Sequence, residues 1–499
     1  MRPADASSTP STLLSRIGPA LLLALVCAIP FFWPLVHGLA LGPWDQIATM
    51  VPGSGAPKPQ GPWDVLQADA CLQFYVWRDL VFDSWRHGQV PWTNPYSFGG
   101  SPLLANSQSG ALYPPHILVG FLRLPTTAAI TILAWLHVWW ASIGVFQCAR
   151  LLKANVLGAM VGGICFGLSA FMMSWVGLAS VPTTVAWIPW VVACGLAIRA
   201  NSILKNALLG GGCIAMLLLA GHLQFAAIGL MAWFAVSGTL IFREFFVDKA
   251  AAMRCVLGCV IALGIGALAS YPQLGPVLAA GKTSHRQNTP TEEGFAAYQR
   301  LALSSPELPG LFLPSVLGDP KDPIQIENGP VVGGFWPALS KAGGNFAESS
   351  FGWGPIVLGC IAMLRFRRQD WGEYSPVVVV ALIGLIFAIG HTALASLYFL
   401  VPGWSATGSP GRGGVLWLLA GCILAALSIR WGTEERSLTR QQVVARAFTV
   451  LAVMVAVVVW AWFSMPPFSP GAVVDSLGWI AAGTLGVSYL LLSRAGGRL

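Results

Sequence analysis

The chain has 499 residues, of which 55% are hydrophobic and only 10% charged. Soluble domains carry about a quarter charged residues, so this chain cannot cover a water-facing surface. The net charge of +8 is spread over helix ends rather than gathered in one patch, which excludes a nucleic-acid interface. The apolar stretches have the length of membrane-crossing helices and lack the short alternation of barrel strands.

In chain order, spans are predicted near 17–36, 126–150, 155–175, 182–198, 205–220, 223–242, 254–278, 351–366, 375–391, 413–429, 447–464 and 476–493. The expected fold is therefore an all-α integral membrane protein with about twelve transmembrane helices. The first apolar stretch has no convincing cleavage site and reads as a retained helix. Arg150, Lys153, Lys205, Arg243, Lys249, Arg254, Arg365, Arg430 and Arg494 recur in alternate, short loops. By the positive-inside rule, both termini then face the cytoplasm. Two long loops, 37–125 and 279–350, face the other side. Many of the 22 Trp sit near predicted span ends, as in an interfacial belt.

Loop one opens on a Pro/Gly-rich linker, 52–62, and continues with an amphipathic helical pattern over 65–85. Leu66, Phe74, Trp77, Val81 and Trp85 share one side, and a helix lying along the membrane surface is expected. The densest polar cluster follows: Asp64, Asp69, Gln73, Asp79 and Asp83, then Asn94, Tyr96, Asn106 and Gln108. Asp69 and Gln73 are four apart and share a helix face. A carboxylate there suits a general base, although solvated loop acids have the same pattern.

The remaining spans carry few polar groups. Gly158, Gly162, Gly163 and Gly167 point to close helix packing rather than a phosphate cradle. His222 and Gln224, at a break between spans, either line a cavity or form a turn facing water. His285 and Arg286 could hold a lipid phosphate or anchor in headgroups. Glu348 could pair with a cation, and Arg412 stands alone at the outer mouth of a span. Of the ten Cys, only Cys71 lies in a long loop, so no loop disulfide is expected. The seven His and ten Cys form no metal motif. The loop acids could take a divalent cation with help from a phosphate, and the residues leave that open.

Loop one has a longer signature. It reads Asp69-Ala-Cys-Leu-Gln73, then Gly88-Gln-Val-Pro-Trp-Thr-Asn-Pro95, then Gly100-Ser-Pro-Leu-Leu-Ala-Asn106, then Tyr113-Pro. This resembles the signature of YfhO-type bacterial membrane proteins, with weaker echoes at Gly221-His-Leu-Gln224, Tyr271-Pro-Gln273, Arg286, Glu348 and Pro410-Gly-Arg412. The chain departs from it at Trp92-Thr93, where Leu-Trp is usual, and in 405–409, where a second Arg is common. That family is similar to GT-C-fold glycosyltransferases.

The resemblance implies a GT-C-like N-terminal transmembrane module over 1–350, followed by C-terminal transmembrane helices over 351–499. It also implies transfer of a sugar from a polyprenyl-phosphate-linked donor, with inversion, to a glycan, lipid or protein acceptor. The site would lie on the extracytoplasmic face of a bacterial cell membrane. Asp69 would be the catalytic base, with Asp64 its competitor, and Gln73 would orient it. Arg286, His285 or Arg412 would meet the lipid phosphate, while Asn94, Tyr96, Asn106 and Gln108 would shape the sugar site or brace the loop. Two other readings remain beside this one: a transporter or flippase of a lipid-linked sugar, and a non-catalytic assembly protein.

Overall fold

The computed structural model describes residues 13–39, 41–42, 44–50, 53–55, 69–198, 200–283, 289–311, 323–325, 331–333 and 371–433, with isolated positions 441, 452, 455–456 and 459. The chain is mostly helical, and seven of the described segments are long and apolar enough to cross a membrane. Two further apolar segments, Ser180–Leu196 and Ile203–Leu219, are shorter. The spans expected at 351–366 and 476–493, and nearly all of 447–464, lie outside the described residues.

Helix α1, Leu13–Val36, contains three prolines. The indoles of Trp135 and Trp139 tie a neighbouring helix to α1 by donating to the carbonyls of Ala24 and Ala20 at 3.1 and 2.9 Å. Both lie on α5, Thr126–Leu151. The outer sides of α1 and of α12, Lys249–Gly281, expose Leu25, Ile29, Phe32, Val260 and Leu268. Such apolar surface needs an apolar solvent.

Between α1 and α5 lie α2, Trp44–Met50, a single π-helical stretch, Ala70–Tyr75, and α3, Val76–Arg86. A two-stranded hairpin follows, β1 Thr93–Asn94 with β2 Ser101–Pro102, and then α4, Pro114–Phe121. The amphipathic pattern of 65–85 does form a helix from Asp69 onward. Its apolar side is taken up by the protein itself: Val81 and Phe82 pack with Leu103, Val119, Ala129 and Leu133.

The span expected at 155–175 is interrupted. Asn155 caps α6, Val156–Gly167, and Ser169 caps α7, Ala170–Ser174. Each cap contributes about 1 kcal/mol. The expected span 182–198 divides into α8, Ser180–Val185, and α9, Ile188–Leu196. Helices α10, Ile203–Leu219, and α11, Leu223–Phe245, meet at Gly221-His222, the expected break. Beyond α12 come α13, Glu292–Arg300, a two-stranded pair β3 Pro323–Gln325 with β4 Val331–Gly333, and α14, Trp371–Ala388. The described chain closes with α15, Ala395–Leu400, and α16, Val415–Thr433.

The glycines of α6 set the packing of the bundle centre. A Cβ on Gly158 or Gly162 would meet the Ala426 or Cys422 carbonyl of α16 at 2.3 or 2.7 Å. On the opposite side, a Cβ on Gly163 would lie 2.6 Å from the Ser142 carbonyl of α5. Helix association in lipid depends on such close contact rather than on the hydrophobic effect. The two ends of the bundle differ. At one, Lys153 pairs with Glu373, and Arg243 donates to the carbonyl of Gly372. The other carries loop one, the α10–α11 break and the segment between α14 and α16.

Candidate functional site

A cavity of about 850 Å³ opens at the loop-one end. Its polar lining includes Asp69, Gln108, His222, Gln224, Thr407 and Arg412. Phe74, Trp175, Leu178, Val181 and Leu223 supply an apolar part. Residues far apart in sequence therefore face one space.

Asp69 stands at the start of the π-helical turn and is exposed. Gln73 Nε2 donates to its Oδ1 at 2.8 Å, the contact that four-residue spacing allows. Just below, Cys71 is buried beneath Gly42, and burial pushes its thiol up to about 11. It is a free thiol, as are the other described cysteines.

Arg412 lies in a 3-10 turn, Pro410–Gly414, ahead of α16. Its Nη1 donates to Gln224 Oε1 at 3.0 Å, and its guanidinium sits 5.6 Å from the Trp175 ring centroid. Gln224 Nε2 in turn donates to the carbonyls of Gly408 and Ser409 at 3.1 and 3.0 Å. This amide thus uses both ends to hold the arginine and its loop. A Cβ on Gly408 would meet Arg412 Nη1 at 2.7 Å, so a larger residue there would push the guanidinium from this position. Loop two backs the same segment: Ser409 Oγ donates to the Leu301 carbonyl at 2.8 Å, and Trp404 Nε1 to Tyr298 Oη at 3.1 Å. Burial is the main cause that pushes the Tyr298 phenol up to about 12.

His222 precedes α11, with its backbone N–H on Thr184 Oγ1 at 3.1 Å and its ring edge-on to Phe225. Gly221 before it has φ +109°, and a Cβ there would lie 2.5 Å from the Ser107 carbonyl. Only glycine lets the break close against loop one at this point. Gln108 faces the cavity from the 3-10 turn Ser107–Ser109, which Asn106 caps. Ser180 Oγ donates to Gln108 Oε1 at 3.0 Å, so its amide N–H groups remain for a bound molecule.

Behind this turn lies a buried polar group whose Arg78, His116 and His137 the sequence reading missed. Arg78, only 1% exposed, donates through Nη1 to the carbonyls of Gln108 and Ser109. Tyr113 Oη accepts from Trp187 Nε1 at 2.7 Å and contacts His137 Nε2 at 2.9 Å. His137 Nδ1 lies 2.6 Å from the Leu133 carbonyl, which only accepts, so Nδ1 carries the proton. In the neutral ring Nε2 then accepts from Tyr113. Burial, helped by the Arg78 charge, holds His116 well below the ordinary histidine value, and burial raises the Tyr113 phenol. From α12, Gln273 accepts from Leu112 N at 2.8 Å and donates to the Ser107 carbonyl at 3.3 Å. A polar residue inside an apolar span, as His137 is, was the available signal.

Of the residues singled out in the sequence, Asp69, Gln108, His222, Gln224 and Arg412 line the cavity, and Gln73 bonds to one of them. Asn106 caps the Gln108 turn. Asn94 and Tyr96 are not among the lining residues: Asn94 is buried within the hairpin, and Tyr96 is exposed at its tip. Asp64, His285, Arg286 and Glu348 lie outside the described residues. No group of three His, Cys, Asp or Glu suited to a metal occurs among the described residues. Fold and site together define a helical membrane protein with a polar cavity at one end of its bundle. No family model matches the chain, and no curated protein matches it in sequence.

Proposed function

We propose that the chain is a membrane glycosyltransferase of the GT-C type, related to YfhO-type proteins, that transfers a sugar from a polyprenyl-phosphate-linked donor to an acceptor hydroxyl with inversion. The observation that carries this reading is that Asp69 and Arg412 line one cavity. Such a transfer needs a base for the acceptor and a cation for the departing phosphate in a single space. With Oδ1 of Asp69 held by Gln73, Oδ2 receives the acceptor proton. The acceptor oxygen bonds to the anomeric carbon as the bond from that carbon to the phosphate oxygen breaks. The electron pair leaves with the phosphate, whose growing charge Arg412 meets, fixed in place by Gln224. Gln108 donates to the sugar. The apolar lining at Leu178, Val181 and Leu223 suits the lipid part of the donor.

In this reading the cavity faces the outside of a bacterial cell membrane and both termini face the cytoplasm. The position of Lys153 and Arg243 at the far end of the bundle supports that orientation.

The test is transfer of labelled sugar from a polyprenyl-phosphate donor pool by the purified full chain in liposomes. Asp69→Asn is expected to lower transfer about 10²–10⁴-fold, the usual range for losing a general base. It should leave donor binding intact, whereas Arg412→Gln should weaken donor binding. Wild-type transfer by the Asp69→Asn protein would sink the assignment of the base. Movement of intact lipid-linked sugar across the bilayer, with its glycosidic bond unbroken, would support the flippase reading instead.

A further inference from the structure

We infer that the tip of the β1–β2 hairpin inserts into the headgroup region of the bilayer that holds the helices, anchoring loop one beside the cavity. This does not depend on the transfer reading. The hairpin is built from its own polar groups: Asn94 Oδ1 accepts from Tyr96 N at 3.0 Å, and Asn94 Nδ2 donates to Ser97 Oγ at 3.2 Å. Its rings are left outside. Trp92 is 63% exposed, Tyr96 83% and Phe98 102%. Phe98 also has φ +54°, a conformation that bulky residues rarely adopt, and its ring gains no cover from the described residues in return.

Three observations favour lipid as the occupant. No Asp, Glu, Lys or Arg occurs from 88 to 122, so the hairpin and α4 offer no charge to a protein partner and resist no apolar phase. Trp and Tyr beside Phe are the side chains that settle at the membrane–water interface. The third is position. Leu103 N and Leu104 N both donate to the Trp92 carbonyl, and both leucines pack with Ala129 and Leu133 in the opening turns of α5. That helix has 26 residues and spans about 39 Å, against a hydrocarbon core of about 30 Å. Its opening turns, and the hairpin base on them, therefore sit near headgroup level. Helix α4 beside them exposes Leu118 and Phe121, continuing the apolar surface.

The experiment places a nitroxide at Tyr96→Cys in the full chain in liposomes, which leaves Trp92 and Phe98 intact. Signal from native cysteines is removed by subtracting the unsubstituted protein labelled in parallel. Power saturation then compares collisions with oxygen, which concentrates in lipid, and with a water-soluble nickel chelate. The expected result is a collision ratio shifted toward oxygen relative to free label in buffer. Adding Phe98→Ser should move it back toward the chelate, and Phe98→Trp should restore it. A ratio equal to that of free label would put the tip in water and overturn the inference. Low collisions with both relaxants would also overturn it, in favour of a protein partner covering the tip.

Discussion

Arg78 is a cation held inside loop one by two backbone carbonyls, and no ion pair reaches it among the described residues. Its neighbour His116 shares the enclosure, with Nδ1 on the Gly110 carbonyl at 2.8 Å. A second proton there would be a second buried charge. Because the folded value of His116 is lowered, the unfolded chain takes up a proton first as pH falls. Stability is therefore full above about pH 6.5, the ordinary histidine value, and declines below it by up to about 1.4 kcal/mol per pH unit. Thermal unfolding in detergent at about pH 7.5 and about pH 5.5 checks this. His116→Asn is expected to shrink the acid-side drop in melting temperature. An unchanged drop would assign it to other groups.

Among the elements, α12 acts on the site without lining it. Its Gln273 satisfies one donor and one acceptor of the turn that presents Gln108. Gln273→Leu leaves Leu112 N without that partner, a loss that costs about 1–3 kcal/mol for a buried group. Faster amide exchange across 105–113, with the exchange of α5 and α6 unchanged, is the expected outcome. Slow exchange retained in that turn would show that Arg78 alone holds it. Element type was largely legible in the sequence because apolar runs of span length permit only helices in lipid. The interruptions at Ser169 and at Ala186-Trp187 were not, because each apolar run continues across them and only local hydrogen bonding marks the gap. Close packing through the glycines of α6 was readable from small-residue spacing. Which helices they would meet was not, since α5 and α16 are far apart in the chain.

For the whole molecule, the legible part of the site is the set of polar residues at span ends in an otherwise apolar chain. His222, Gln224 and Arg412 stood out for that reason, Asp69 stood out by the resemblance in loop one, and all four face one cavity. Trp175 did not stand out, because a tryptophan at a span end also fits an interfacial belt. Asn94 and Tyr96 read like site residues because turn-forming polar groups resemble binding groups in a sequence, and here Asn94 shapes a turn. The cavity wall also has a consequence for biosynthesis. Domains form from the N-terminus during synthesis, so Asp69, Gln108 and His222 emerge long before Arg412. A nascent chain carrying α11 has every outer residue of loop one and an incomplete cavity, because Gln224 still lacks its arginine. On the proposed transfer reading, a chain ending at Ala388 is expected to insert its helices and yet fail to retain a polyprenyl-phosphate donor, as read by photocrosslinking during translation, while one ending at Thr433 retains it. Assembly order thus acts as a timer: the cavity lacks one wall until Arg412 and α16 have been made.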